Sequence, residues 1–199
     1  MSNWCFTEIK IYHNNKNELK TFYELIQKWT STNYMKNGFG LQWLGNIVGN
    51  SGIGTINKGQ NTDLSCRGTL NDIELNEDCI YLSTDTAWEP MLQMWLKLIK
   101  KYLPNSESML YYSAEEPGCE LYITNDPDLV NKYNVVVWDI KDFDSEYAIT
   151  ENSLKEKLQK LLNTKETNIN TLIQILQESE FSQDVYIHQW EYVNEYECD

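Results

Sequence analysis

The sequence predicts an α+β protein whose first 125 residues form a ferredoxin-like core, with a split β-α-β antiparallel sheet and helices on one face. Three observations lead to this prediction. The predicted elements run β-α-β-β-α-β-β as far as residue 124, which is the ferredoxin-like order with one added strand. Alternating and helix-spaced apolar residues follow one another along this part of the chain. A length of 199 residues with 41% hydrophobic residues suits a globular domain with an appendage.

The first strand and the first helix are predicted within residues 3–29. Residues 3–12 alternate between apolar and polar side chains, as a half-buried strand does. Asn15 followed by Glu18 has the form of a capping box, which predicts a helix that runs to about Trp29. Apolar residues at helical spacing place on one face of this helix Leu19, Phe22, Tyr23 and Ile26.

Residues 30–63 are predicted to form a long irregular connection. They are rich in Gly, Asn, Ser and Thr, and an apolar island at 41–48 allows one helical turn. The glycines of residues 49–55 lack the Gly-Lys-Ser/Thr step of a phosphate-binding loop, because Lys58 is displaced from it. A plain flexible loop is therefore predicted at 49–55. Loops as long as 30–63 often carry function.

Two hairpins and a second helix complete the predicted core. The hairpins turn at 76–78 and 116–118, and their strands are 64–75 with 79–87 and 108–114 with 118–124. Between them, Pro90 is predicted at the first helical position, because its missing N–H would be unpaired there anyway. The helix is predicted to end before Pro104.

Residues 126–199 are predicted to be an acidic α+β extension packed on the core. A strand is predicted at 133–139, and a second capping box at 153–156 precedes helices at about 153–163 and 168–179. A final strand is predicted near 185–193. Its period of two places on one face Tyr186, His188, Trp190 and Tyr192.

The charge of the chain is strongly negative and unevenly distributed. The formal net charge is −14. Residues 1–138 carry 16 acidic and 11 basic side chains, whereas residues 139–199 carry 14 and 5. Such a chain repels phosphate backbones, so direct nucleic-acid binding is not expected. It attracts basic protein surfaces instead, which predicts a protein partner with a basic surface.

The cysteines favour neither a zinc site nor a disulfide framework. Their number is odd, and no CxxC or CxxH spacing occurs among Cys5, Cys66, Cys79, Cys119 and Cys198. No apolar run follows a basic stretch at the N-terminus, and none approaches the ~20 residues that cross a bilayer. We expect a cytoplasmic protein without a cofactor and without a membrane association. The sequence does not predict its oligomeric state.

Three short stretches in the first 125 residues carry a resemblance to a known family. In order, they are Asn3-Trp4-Cys5, Thr86-Ala87-Trp88-Glu89-Pro90 and Tyr111-Tyr112-Ser113-Ala114-Glu115-Glu116-Pro117-Gly118. This set resembles the YubB-like ferredoxin-fold proteins of plasmids, phages and other mobile elements. A Trp-Gly-Thr-Lys-Trp-like segment is typical of the family, and the corresponding residues here are Gln42-Trp43-Leu44-Gly45-Asn46. The resemblance implies a fold and a mobile-element context, and no established activity.

The acidic C-terminal part is the predicted partner-binding region. Four carboxylates fall within eight residues, and further acidic and aromatic residues follow near the end of the chain. The predicted contact residues are Asp139, Asp142, Asp144, Glu146, Trp190, Tyr192, Glu195 and Glu197. Trp138 and Tyr196 add aromatic rings to this set. Carboxylates spaced in this way can pair with the Lys and Arg that normally track phosphates, as in an anti-defence (anti-CRISPR-like) inhibitor that mimics nucleic acid. A solvated surface that only keeps the protein soluble is the alternative.

The second hypothesis is that the chain binds a small molecule or a nucleotide. An enzyme that acts on this ligand is one form of that hypothesis. Carboxylates at one end of the predicted sheet can serve as general acid and base, or hold a hard cation. The predicted lining residues are Arg67, Asp85, Trp88, Glu89, Glu115 and Glu116. Helix capping and turn solvation explain the same carboxylates without a ligand. A third possibility is direct nucleic-acid binding through the aromatic strand near Trp190.

No catalytic constellation is predicted. His13 and His188 are the two histidines, and neither lies in a recognisable motif. His188 belongs to the aromatic stripe of the last predicted strand. Arg67 is the only arginine of the chain, and a bidentate contact with a carboxylate or phosphate is one reason to retain it. The chain is therefore predicted to be a binding protein and not an enzyme.

Overall fold

The computed structural model describes residues 3–36, 38–57, 60–61, 64–103, 108–141 and 143–194. The chain is a mixed α+β protein that divides into two compact units. Unit 1 contains the described residues through Leu121, together with Val193 and Asn194, and unit 2 is Tyr122–Tyr192. The predicted packing of a C-terminal extension on the core stays a prediction.

Unit 1 contains three helices and six strands among its described residues. In chain order they are β1 (Trp4–Tyr12), α1 (Lys16–Thr30), α2 (Leu44–Ser51), β2 (Ile56–Asn57), β3 (Gln60–Asn61), β4 (Gly68–Leu75), β5 (Cys79–Ala87), α3 (Leu92–Tyr102) and β6 (Met109–Glu116). A 3₁₀ turn at Pro117–Cys119 follows β6. β2 and β3 pair only with each other.

Four strands of unit 1 form an antiparallel sheet in the order β6-β1-β5-β4. Every second residue of β1 from Cys5 to Ile11 is at most 1% exposed, so one face of the sheet belongs to the core. The helices contribute to that core the buried side chains Leu19, Phe22, Ile26, Leu92, Trp95 and Leu98. The other face carries the residues between, and it is partly exposed.

Helix α1 begins as its capping box predicts. The side chain of Asn15 accepts from the backbone N–H groups of Asn17 and Glu18 at 3.0 and 3.3 Å. Asn15 Nδ2 donates back to the Glu18 carboxylate at 2.9 Å. These bonds satisfy donors that the first turn of a helix leaves unpaired. The prediction for this helix is confirmed.

The prediction of an irregular connection over 30–63 is partly wrong, because α2 makes two turns there and ends at Ser51. Buried Asn46 accepts from Tyr34 N at 3.0 Å and donates to the carbonyls of Gly40 and Leu41, both at 3.0 Å. A side-chain amide thus replaces the backbone pairing of a regular element. Gly52 ends the helix with φ +66°, the left-handed geometry that favours glycine.

Helix α3 begins at Leu92, so the prediction that Pro90 occupies the first helical position is wrong. The hydroxyl of Thr86 donates to the carbonyl of Glu89 at 2.7 Å, and Trp88 has φ +74°. These two features make a tight turn out of β5. Trp88 and Glu89 belong to this turn, and the helix starts after it with Met91 as its N-cap.

Unit 2 contains two helices and five strands among its described residues. They are β7 (Leu121–Thr124, whose first residue belongs to unit 1), β8 (Tyr133–Val137), β9 (Glu146–Ile149), α4 (Glu151–Leu161), α5 (Ile169–Glu178), β10 (Val185–Gln189) and β11 (Glu191–Tyr192). A three-stranded antiparallel sheet has the order β10-β8-β9. Its inner face and the two helices enclose a core that includes Tyr133, Val135, Leu154, Leu158, Leu172, Leu176 and Val185.

Two predictions for unit 2 are corrected by its hydrogen bonds. Helix α4 is capped by Thr150, whose hydroxyl accepts from Ser153 N at 3.3 Å, so Ser153 lies inside the helix. The single strand predicted at 185–193 is broken at Trp190, since Trp190 N donates to Lys132 O at 2.9 Å. β10 pairs with β8, and β11 pairs with β7 in parallel.

Within the described ranges no helix is long and apolar enough to cross a membrane.

Candidate functional site

The outer face of the unit 1 sheet brings together two of the predicted ligand-site carboxylates. Phe6 lies on β1 and is the register partner of Asp85 on β5 and of Glu115 on β6. The two carboxylates therefore flank one aromatic ring on the same face. Since neighbouring strands are about 4.8 Å apart, their backbones are separated by about 10 Å. Both side chains are half-buried.

Glu116 does not belong to this face. It is buried, and its carboxylate accepts a hydrogen bond from the backbone N–H of Cys119. This contact caps the 3₁₀ turn that begins at Pro117. A Cβ atom added to Gly118 would lie 3.1 Å from the Glu116 carboxylate, so the turn closes tightly on it. Glu116 thus shapes the turn.

The other predicted ligand-site residues lie at the end of β5. The Ala87 N–H donates to the Arg67 carbonyl at 2.9 Å, which places Arg67 beside that end. The Trp88 N–H donates to the Asn3 carbonyl at 3.1 Å, which holds Trp88 beside the start of β1. The side chains of Arg67, Trp88 and Glu89 are exposed. They border the sheet face at the end of β5.

Sequence reasoning missed the residues of β1 that complete this face. Trp4 is 51% exposed and Phe6 37% exposed, and Glu8 lies two residues further along the strand. The Tyr81 hydroxyl donates to the Glu8 carboxylate. The alternation of residues 4, 6 and 8 with the apolar Cys5 and Ile9 was the available signal. We call Trp4, Phe6, Glu8, Asp85 and Glu115 the open face of unit 1.

The electrostatics of the open face are set by two neighbouring carboxylates. Glu8 pairs in register with Ser113, two residues before Glu115, so Glu8 and Glu115 are diagonal neighbours. Burial, and next the negative charge of Glu8, raise the pKa of the Glu115 carboxyl. The ionised form of Glu115 is therefore disfavoured unless positive charge is brought beside it.

Among the described residues, the predicted partner-binding carboxylates occupy two different environments. Asp139 and Asp144 are exposed in the segment between β8 and β9. Glu146 is directed to the helix side of the sheet, where its carboxylate lies 2.7 Å from Lys157 Nζ of α4. Asp142, Glu195 and Glu197 lie outside the described residues. Of the described members of this set, Asp139 and Asp144 are the exposed carboxylates.

The predicted aromatic contacts are also divided. Trp190 is 3% exposed and Tyr192 is 60% exposed, so only the latter is available to a partner. The outer face of the three-stranded sheet carries exposed residues that the sequence did not single out together. We call this group the aromatic face of unit 2, and its members are Val136, Trp138, Tyr147 and Tyr186.

The buried side-chain amide of Asn134 connects strands of the sheet that carries the aromatic face. Asn134 Oδ1 accepts from Trp190 Nε1 and from the Ala148 N–H, both at 3.0 Å. Tyr147 packs edge-on against the Trp190 ring, with centroids 5.9 Å apart. His188 stacks on Tyr122 at 4.0 Å between centroids. Asn134 therefore links β8, β9 and the Trp190 side chain that precedes β11.

His13 has a partner that sequence reasoning did not find. Its Nε2 lies 3.0 Å from Glu18 Oε2, and its Nδ1 lies 3.0 Å from Ser108 Oγ. The order carboxylate, imidazole, hydroxyl is that of a hydrolase triad. However, His13 is only 4% exposed, and the Ser108 hydroxyl also lies 3.4 Å from the Leu103 carbonyl. We assign this chain of hydrogen bonds to fixing the strand ends.

Within the described part of the chain, no disulfide joins the thiols of Cys5, Cys66, Cys79 and Cys119. Burial raises the pKa of the Cys5 thiol to about 11, which disfavours its thiolate form at neutral pH. The described residues contain no group of three or more His, Cys, Asp or Glu side chains that could hold a metal ion. Cys198 lies outside the described residues.

The three stretches that resemble the YubB-like family meet at one end of the unit 1 sheet. Trp4 pairs in register with Ala87, and Asn3 Nδ2 donates to Cys119 Sγ at 3.2 Å. Membership in that family stays a prediction. No family model matches this chain, and neither a curated protein nor a solved structure matches it.

Proposed function

We propose that this chain is a non-enzymatic protein-binding module of a phage or other mobile genetic element, and that its partner presents a basic surface. The most concrete form of the proposal is an acidic anti-defence inhibitor, anti-CRISPR-like, that occupies a groove meant for nucleic acid. The mobile-element setting comes from the family resemblance. The mode of binding comes from unit 2.

The aromatic face of unit 2 is the observation that carries this proposal. Trp138 is 63% exposed, Tyr147 54% and Tyr186 43%, and Val136 is the register partner of Tyr186. Large apolar side chains grouped on one face of a sheet mark interaction sites, because leaving them in water is unfavourable. Trp and Tyr are also the residues that most often dominate the energy of an interface.

The negative charge beside this face favours a partner with a basic surface. Asp139 directly follows Trp138, and Asp144 lies in the same segment; both are exposed. They belong to the part of the chain with 14 acidic and 5 basic residues. Such a surface accelerates encounter with a basic partner and repels phosphates. A basic nucleic-acid-handling protein fits both properties.

We further propose that unit 1 is a ferredoxin-like domain. β1 and β4 are both antiparallel to β5, which lies between them, so β1 and β4 run parallel with a strand inserted. This arrangement, with α1 after β1 and α3 after β5, supports a split β-α-β topology. The proposal concerns the fold alone, because one fold hosts many functions.

The proposal is tested by recovering the partner and then measuring direct binding. The tagged chain is incubated with nuclease-treated lysate of the natural host at low and high salt, and the recovered protein is purified and titrated by calorimetry. Trp138→Ala is expected to weaken binding by about thirtyfold, as a central aromatic contact does. The double variant Asp139→Asn with Asp144→Asn is expected to slow association and to flatten its salt dependence.

Asp78→Asn serves as the control, since Asp78 is exposed in the turn between β4 and β5 of unit 1. It removes one carboxylate charge from another place and should leave binding unchanged. A partner whose affinity is insensitive to both unit 2 variants contradicts the proposal. So does a partner that binds equally well at high salt.

A further inference from the structure

The open face of unit 1 places exposed aromatic rings on an antiparallel sheet. Trp4 and Phe6 lie on β1 with more than a third of their surface exposed. Trp88 is 51% exposed and is held beside the start of β1 by its hydrogen bond to Asn3. Rings fixed on strands lose little conformational freedom on binding, which favours their use as contact surfaces.

Carboxylates surround these rings on the same face. Asp85 and Glu115 flank Phe6 from the two neighbouring strands, and Glu8 is next along β1. By register, β4 adds two more carboxylates on this face, those of Asp72 and Glu74. Among the described residues of the four strands that share this face, Lys10 is the one basic side chain. The face therefore carries an excess of negative charge.

The arrangement selects the kind of cation that the face can hold. Asp85 and Glu115 are about 10 Å apart at the backbone, on strands separated by β1, whereas one metal ion needs ligands at about 2.3–2.6 Å. Phosphate-bearing ligands are repelled. A guanidinium group fits, because it stacks on aromatic rings and donates paired hydrogen bonds to a carboxylate.

We propose that the open face of unit 1 is a docking surface for arginine side chains of the protein partner, stacked on Trp4 or Phe6 and hydrogen-bonded to Asp85 or Glu115. The inference deepens the proposed function, on which it rests, because it gives the partner's basic surface a stated chemistry. A guanidinium beside Glu115 also adds positive charge where burial and Glu8 disfavour the ionised carboxylate.

The test uses the full chain and a short peptide with three arginines separated by glycines. The same peptide with citrulline keeps the size of the side chain and removes its charge, and spermidine represents a free polyamine. Calorimetry and tryptophan fluorescence report binding. We expect the arginine peptide to bind at least about fivefold more tightly than the citrulline peptide.

Variants assign the binding to this face. Trp4→Leu and Glu115→Gln are each expected to weaken binding of the arginine peptide by about two- to fivefold. The control Glu178→Gln, which neutralises an exposed carboxylate of α5 in unit 2, should leave it unchanged. Circular dichroism establishes whether each variant folds. If Trp4→Leu does not fold, the isosteric variant Glu115→Gln still tests the inference.

Three results would overturn the inference. The first is equal affinity for the arginine and citrulline peptides, or no binding of either. The second is binding that survives both the Trp4 and Glu115 changes, and the third is tight binding of spermidine alone, which makes the occupant a free polyamine. Failure here leaves the proposed function intact if a captured partner still depends on Trp138.

Discussion

Unit 1 and unit 2 each present a sheet face that combines aromatic rings with carboxylates, but they place the carboxylates differently. In unit 1, Asp85 and Glu115 occupy strand positions on either side of Phe6 and are half-buried. In unit 2, the exposed carboxylates Asp139 and Asp144 lie in the segment between two strands. The unit 1 carboxylates are held in place by strands of the sheet, whereas the unit 2 carboxylates are exposed to solvent.

This difference separates two uses of negative charge. Exposed carboxylates act at a distance, so they accelerate encounter with a basic partner and are screened beyond about 8 Å at physiological salt. Half-buried carboxylates beside a ring act in contact, because only a group of the right shape and charge relieves their burial. We infer that unit 2 attracts a partner, whereas unit 1 selects chemical groups on it.

The largest expected effect is the loss of stability on removing the Asn134 side chain, which connects strands of unit 2. Asn134→Ala leaves the buried Trp190 Nε1–H and the Ala148 N–H without their acceptor. An unsatisfied buried donor costs about 1–3 kcal/mol, so the free energy of unfolding should fall by that amount. Urea denaturation followed by tryptophan fluorescence measures it.

Asn17→Ala is the matched control for this change, since Asn17 is exposed on α1. Its effect should stay within about 0.5 kcal/mol. If Asn134→Ala costs no more than this control, Asn134 does not organise the face. Its contacts would then be incidental to the packing of Trp190.

A smaller effect of opposite sign is expected for Glu115→Gln in unit 1. The pKa of Glu115 is raised in the folded chain by burial and by Glu8. The folded state therefore binds more protons than the unfolded state between the two pKa values, and stability falls as the pH rises through that window. Glutamine abolishes this loss, and it should stabilise the protein at neutral pH by about 0.2–1 kcal/mol.

Melting temperatures of the parent chain and the variant measure this effect from acid to neutral pH. The two should converge at low pH, where Glu115 is protonated, and diverge as the pH rises. Glu89→Gln is the control, because Glu89 is exposed beyond the end of β5. Parallel pH profiles for the parent and Glu115→Gln would mean that the strand position of this carboxylate has no energetic consequence.

Local patterns predicted most of the elements, whereas long-range contacts account for what they missed. The capping box at Asn15 placed α1 correctly because its signal lies within four residues. One helical turn was allowed at 41–48, and the full length of α2 depends on contacts that are distant in sequence, since Asn46 satisfies carbonyls of an irregular segment through its side chain. Strand β9 follows an acidic segment without alternation, so it gave no strand pattern. Its pairing with β8 defines it.

The candidate sites were predicted in part for the same reason. Residue type and spacing indicated Asp85 and Glu115, and only the register showed that Phe6 lies between them. Neighbours in sequence also separate in space, since Glu116 is buried in a turn while Glu115 lies on the open face. Trp190 was expected to contact a partner, yet its hydrogen bond to Asn134 lies inside unit 2.

The smallest expected effect concerns Glu146, whose charge is neutralised by Lys157 within unit 2. Lys157 Nζ lies 2.7 Å from Glu146 and 5.7 Å from the centroid of the Phe143 ring, and it is about a quarter exposed. Lys157→Met keeps the apolar stem and removes the charge. The free energy of unfolding should fall by about 0.2–0.5 kcal/mol, and the difference should shrink in 1 M salt.

Lys20→Met is the control, because the Lys20–Glu24 contact is 3.9 Å long and well exposed. The change in the free energy of unfolding for this variant should be close to zero. A salt-independent loss for Lys157→Met would show that packing on Phe143, and not the charge of Glu146, gives this lysine its role. A salt-dependent loss would place Glu146 among the neutralised carboxylates. Asp139 and Asp144 would then be the described carboxylates between β8 and β9 on which the proposed attraction of a basic partner rests.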